Sequence, residues 1–126
     1  MADPGNPVPG PPPVAELEIG PRHLADLRSV DPGAVRLIDC REEDEHLFCR
    51  LDGSELAPLS RFGEEHARRF PPGCSGEIPI VIYCHHGLRS AQAALFLRRL
   101  GHPRVWSLAG GIDRWSREID PETPRY

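Results

Sequence analysis

"IPIVIYCHHGLRSAQAALFLRRLG", residues 78–101, joins an apolar run to a helix-like run through a short turn containing one glycine. Residues 78–84 are apolar on both faces of an extended chain, which predicts a strand in the middle of a sheet rather than at its edge. From Ser90 onward the pattern is helical, with the serine at the start, arginines in the last turn and Gly101 at the end. A central strand that passes directly into a helix, with Cys84 at the junction, sets the reading of the remaining chain.

Similar alternations flank this segment. "VAELEIG", residues 14–20, alternates like a short strand, and Gly20-Pro21 opens a helix through "RHLADLRSV". Asp31-Pro32-Gly33 is a turn, "AVRLID" a buried strand ending at Asp39, and "REEDEHLF" a short helix with acids in its first turn. Residues 49–59 hold a glycine turn and a short strand around 55–59. Ser60 is a candidate N-cap for a helix that stops at Pro71-Pro72. "RVWSL" is the last strand, and "AGGIDRWSREID" a glycine turn entering the last helix. Five strands alternating with helices give an α/β fold with a five-stranded, mainly parallel sheet and helices on both faces.

With 126 residues, 39% of them hydrophobic, the chain can enclose one core. Six of its 15 prolines fall in residues 1–13, which read as a disordered Pro-rich tail before one domain over 14–126. A net charge of −4 without long runs of either sign points away from a nucleic-acid groove or an anionic membrane surface. No apolar run approaches a membrane span and no basic segment precedes an apolar one, so a cytoplasmic location is expected. Cys40, Cys49, Cys74 and Cys84 lack CxxC pairing and are expected as free thiols.

Ligands of parallel sheets bind beyond the C-terminal ends of the strands, where Cys84 falls. The helix after it turns unpaired N–H groups and its positive dipole end toward the intervening loop. A thiol of ordinary pKa about 8.5 is lowered by about a unit or more at such a place, so Cys84 is expected as a thiolate. Gly87 permits positive φ, so that residues 85–90 curl into a cradle of inward-facing amides, and Arg89 offers a planar charged fork to an oxyanion. A cysteine at a strand end is more often core filler, but filler needs neither Gly87, Arg89 nor a helix start at these offsets.

The loop "CHHGLRS", followed by "AQAALFLRRLGHPRVWSLAGGIDRW", closely resembles the rhodanese (sulfurtransferase) domain family, with its Cys-x-x-Gly-x-Arg-Ser loop and Leu-x-Gly-Gly-x-x-x-Trp segment, here Leu108, Gly110, Gly111 and Trp115. "LIDCREEDEH" resembles the family's Asp-Val-Arg-x-x-x-Glu element through Asp39, Arg41 and Glu45, with Cys40 in place of Val. The likeness covers about residues 14–120. It departs at "RLDGSELAPLS", where the usual Gly-His-Ile-x-Gly-Ala is missing and the pocket wall is expected to differ.

The resemblance implies a single-domain sulfurtransferase. Cys84 would take the outer sulfur of a small anionic donor such as thiosulfate and pass it, as a persulfide, to a nucleophilic acceptor. That acceptor would be a thiol, cyanide or a sulfur-carrier protein. The amides of His85, His86, Gly87, Leu88, Arg89 and Ser90 would hold the persulfide, with Arg89 binding the donor or organising the loop. Asp39 and Arg41 would buttress the loop, unless Arg41 is an ordinary solvated charge. No cofactor is implied.

Other readings carry different signatures. Cysteine phosphatase loops hold five residues between cysteine and arginine, where this chain holds four, and Tyr83 stands where those enzymes usually carry histidine. A binding module or a relay working with an adenylating enzyme is a further alternative, because the "IDPETPRY" ending is similar to domains attached to such enzymes. His85 and His86 either tune the charge of the cavity or serve as exposed loop imidazoles. A metal site from Cys40, His46, Cys49 and the loop histidines lacks paired ligand spacing. Cys40 is expected to pack in the sheet, and Cys49 or Cys74 would accept sulfur only if near the loop.

Overall fold

The computed structural model describes residues 10–126, so residues 1–9 of the expected tail lie outside it. Residues 10–13 lie against the domain. Pro12 is buried, and the Pro13 carbonyl accepts a bond from Trp106 Nε1 at 3.4 Å.

Five strands alternate with helices in the order β1 (Glu18–Ile19), α1 (Pro21–Val30), β2 (Arg36–Asp39), α2 (Glu43–Phe48), β3 (Glu55–Leu56), α3 (Phe62–Arg69), α4 (Cys74–Glu77), β4 (Ile80–Tyr83), α5 (Leu88–Arg99), β5 (Val105–Leu108) and α6 (Gly111–Glu118). The sheet order is β1-β5-β4-β2-β3, and every pairing is parallel. β4 is therefore central, as its two-faced apolar pattern predicts.

Side-chain alternation along the strands divides the core into two layers. Leu37, Val81, Tyr83, Trp106 and Leu108 face α1 and α6 together with Leu24, Ile112 and Trp115. Ile38, Cys40, Ile80, Ile82 and Cys84 face α3 and α5 with Phe62, Ala93 and Leu97. Each such aliphatic side chain taken from water contributes about 1.5–3 kcal/mol, and truncating Ile82 at the centre costs about 2–5 kcal/mol.

Several elements differ locally from the sequence expectation. β1 is only two residues long because the chain turns at residues 14–15. Arg98 then pins this entry, donating to the Val14 and Glu16 carbonyls at 2.7 and 2.8 Å. Ser60 does not cap α3. It lies in a 3-10 turn, and its hydroxyl donates to Glu42 Oε1 at 2.7 Å. α2 starts with a capping box formed by Glu42 and Glu45, which satisfies two backbone donors of its first turn. Among the described residues no helix is long and apolar enough to cross a membrane.

Candidate active site

The β4 alternation that buries Ile80 and Ile82 against α5 carries one step past the strand to Cys84, which is 1% exposed. Gly87 adopts φ +104° and serves as the N-cap of α5, so the helix starts at Leu88 rather than at Ser90. A side chain at Gly87 would also meet the Gly110 nitrogen at 3.2 Å. This turn brings the Gly87 and Ser90 amides to the Cys84 sulfur at 3.1 and 3.3 Å, with Ser90 Oγ at 3.4 Å. Ser90 Oγ is itself held by Ser107 Oγ of β5 at 2.7 Å and lies 3.2 Å from the Gly87 carbonyl.

These contacts all favour a negative sulfur. The Cys84 thiol is lowered to about 4, first by the hydrogen-bonding Cys40 thiol beside it, then by the Ser90 hydroxyl and the Ser90 and Gly87 amides, against the opposing effect of burial. Cys40 is raised in turn, chiefly by the same contact with Cys84 and then by burial. The site is a thiolate enclosed by donors at a helix N-terminus, suited to attack on an electrophile and to holding the anion that results.

The glycine turn before α6 faces the loop from the opposite side. Ile112 and Asp113 donate their amides to the Cys84 and His85 carbonyls at 2.9 and 3.1 Å. Gly111, at φ +61°, lets α6 come this close, since a Cβ there would fall 2.4 Å from both carbonyl oxygens. Carbonyls tied to α6 leave the following amides free to face the sulfur.

Arg89 does not reach the cradle. Its guanidinium forms a two-pronged pair with Glu45 of α2, at 2.7 and 3.0 Å, and Glu45 is lowered to about 2 mainly by that bond. Asp39 and Arg41, both fully buried, pair in the same fashion at 2.9 and 2.8 Å, and His46 Nδ1 lies 2.8 Å from Asp39. Neither residue has a side-chain hydrogen bond to residues 85–90. Their link to the loop runs through Tyr126, whose hydroxyl accepts from Arg41 and donates to Glu45, each at 2.7 Å. The Tyr126 ring stacks on His85, centroids 3.8 Å apart and planes 7° apart.

Tyr126 is the residue that sequence reasoning missed. Nothing in "IDPETPRY" signals that its tyrosine will stack on the loop after β4. His85 is partly buried in the stack with Tyr126 and His86, and burial followed by the His86 charge lowers its pKa. His86 and Leu88 stay exposed on the outer side. Metal-ligating atoms of His85, His86 and Asp113 lie within 4.8 Å of one another. Asp113, however, is already paired with Arg117 and Arg125 at 3.2 and 3.1 Å, and the two imidazoles stack on each other. Cys49 lies in the α1–α6 layer, and Cys74 is near His102 at 3.8 Å. Neither has a hydrogen bond to the loop, and all four cysteines are free thiols.

A parallel α/β domain that grips a cysteine thiolate in a helix-capping loop defines a class of nucleophilic-sulfur proteins. This chain belongs to the rhodanese-like domain family, whose match spans residues 22–118. It is 41% identical over 109 residues to the "Thiosulfate sulfurtransferase GlpE" of Actinobacillus pleuropneumoniae, covering 86% of this chain and 94% of that one. It is 32% identical over 110 residues to the "Probable adenylyltransferase/sulfurtransferase MoeZ" of Mycobacterium tuberculosis, covering 86% of this chain. Some relatives are much longer: the chain spans 26% of the mycobacterial protein's length and 38% of a plant relative's. Among solved structures, a rhodanese-related protein from Thermoplasma volcanium superposes with a TM-score of 0.69 at 27% identity, over 81% of this chain and 92% of that one.

Proposed function

We propose that this protein is a sulfurtransferase that moves a sulfane sulfur through a persulfide on Cys84. The observation that carries this reading is the pair of amides, from Gly87 and Ser90, aimed at one buried sulfur. They stabilise the thiolate before attack and would hold the persulfide anion afterwards, so the nucleophile needs no separate base. Likeness to the GlpE sulfurtransferase supports thiosulfate as donor, with sulfite as the leaving group. Because Cys84 is 1% exposed, the donor reaches it only as the surrounding loop yields. Arg89, held by Glu45, acts by fixing the loop's position and adding positive charge near the sulfur.

Incubation with thiosulfate should add one sulfur atom to the intact protein by mass spectrometry, and Cys84→Ser should abolish the gain. Uptake by Cys84→Ser would remove Cys84 as carrier. A relay to a sulfur-carrier protein is the second reading, supported by the likeness to MoeZ. Brisk thiocyanate formation with cyanide favours the free enzyme, whereas persulfide formation without turnover favours the relay. If neither persulfide nor thiocyanate forms, a binding module is the remaining reading.

A further inference from the structure

Cys40 follows β2 as Cys84 follows β4, and these strands pair in parallel with Asp39 opposite Tyr83. The Cys40 amide extends the pairing by donating to the Tyr83 carbonyl at 3.0 Å, which makes Cys40 and Cys84 the next facing residues. Both side chains enter the same apolar layer, and they are 0% and 1% exposed. Neighbouring strands lie about 4.7–4.9 Å apart, within the range of about 4.4–6.8 Å between the Cα atoms of a disulfide. The cradle amides approach the Cys84 sulfur from the loop, whereas Cys40 approaches from β2. Cys49 lies in the other layer, and Cys74, in α4 ahead of β4, packs beside His102, so Cys40 is the thiol that faces Cys84.

We propose that Cys40 is a resolving thiol, which attacks the Cys84 sulfur of a loaded persulfide when no acceptor arrives and discharges the outer sulfur as hydrosulfide. The inference rests on the persulfide reading of Cys84. A bond forms between the Cys40 and Cys84 sulfurs as the persulfide S–S bond breaks. Its electron pair leaves with the outer sulfur, which also receives the Cys40 proton. The sulfane sulfur is reduced to hydrosulfide while two cysteines are oxidised to a disulfide, so no outside oxidant takes part. The Cys40 thiol, raised by Cys84 and by burial, is mostly protonated at neutral pH. Discharge is accordingly slower than transfer to an abundant acceptor. The product is a disulfide between residues 40 and 84 that blocks the carrier until a thiol reduces it.

The test loads wild type, Cys40→Val and Cys40→Ser with thiosulfate without oxygen, then removes the donor. Valine is the residue at this position in the family's element, which makes the first variant conservative, and the second retains a polar atom. Intact mass, released sulfide and non-reducing peptide maps are followed over time. Wild type should lose the added sulfur, release one sulfide per loaded chain and yield a peptide pair joined at residues 40 and 84. The two variants should keep their sulfur about ten-fold longer. Equal loss from wild type and variants, or sulfide release without the joined peptides, overturns the resolving role alone. If no variant and no wild type takes up sulfur, the persulfide reading fails and this inference with it.

Discussion

Gly111 and Cys84 meet backbone to backbone: the glycine's missing side chain leaves room for the Cys84 carbonyl oxygen, which a Cβ would approach to 2.4 Å. The same contact admits the Ile112 amide to that carbonyl at 2.9 Å. Gly111→Ala should therefore push α6 off the loop, at a cost of about 3 kcal/mol or more from the overlap and the positive φ. Denaturant unfolding reads the cost. An unchanged midpoint would mean that α6 is not tightly seated on the loop.

Cys84 should titrate near pH 4, as followed by the ultraviolet thiolate absorbance of wild type minus Cys84→Ser. Ser90→Ala removes a hydroxyl donor and should raise that midpoint by about a unit. The folded value lies below the unfolded one, so the thiolate's stabilising contribution is complete above the ordinary thiol range and is lost as pH falls through 4. Between these limits wild-type stability should rise with pH by up to about 1.4 kcal/mol per unit on this account, a slope missing in Cys84→Ser.

Arg89→Lys keeps a charge but loses the two-pronged bond to Glu45. About ten-fold weaker thiosulfate use is expected, with a similar loss in Glu45→Gln. The double variant should fall short of the summed losses, with a coupling of about 0.5–3 kcal/mol. Additive losses would place the two residues in separate roles. Glu45 is depressed to about 2, so its pairing contributes fully above the usual carboxylate range and is lost as pH falls through 2. Glu45→Gln should cost about 1–2 kcal/mol at neutral pH, because the pair is partly open to water, and nothing in strong acid.

Tyr126→Phe retains the stack on His85 and removes the hydroxyl that joins Arg41 to Glu45. It should destabilise by about 1–2 kcal/mol, and Tyr126→Ala by more, because the His85 ring also loses its cover. Equal costs for the two variants would assign the whole effect to the ring.

The central strand, the loop after it and the following helix were legible because period, capping and chemistry agree over residues 78–101. The family element around Asp39, Arg41 and Glu45 was also visible, but its wiring was not. Arg89 had two suitable anions, a donor in the cradle or Glu45, and only the placement of α2 decides between them. Asp39 and Arg41 satisfy each other in the interior, a choice that spacing alone does not express. Tyr126 was illegible because its partners stand 41 to 85 positions upstream, just after β2, on α2 and in the loop after β4. Ser60 had the right identity for a cap, but Glu42 provided a stronger acceptor.

The α6 amides clamp the first two carbonyls after β4, so changes of loop length are absorbed on one side only. An extra residue between His86 and Leu88 would leave those two carbonyls anchored but carry the Gly87 amide away from the sulfur.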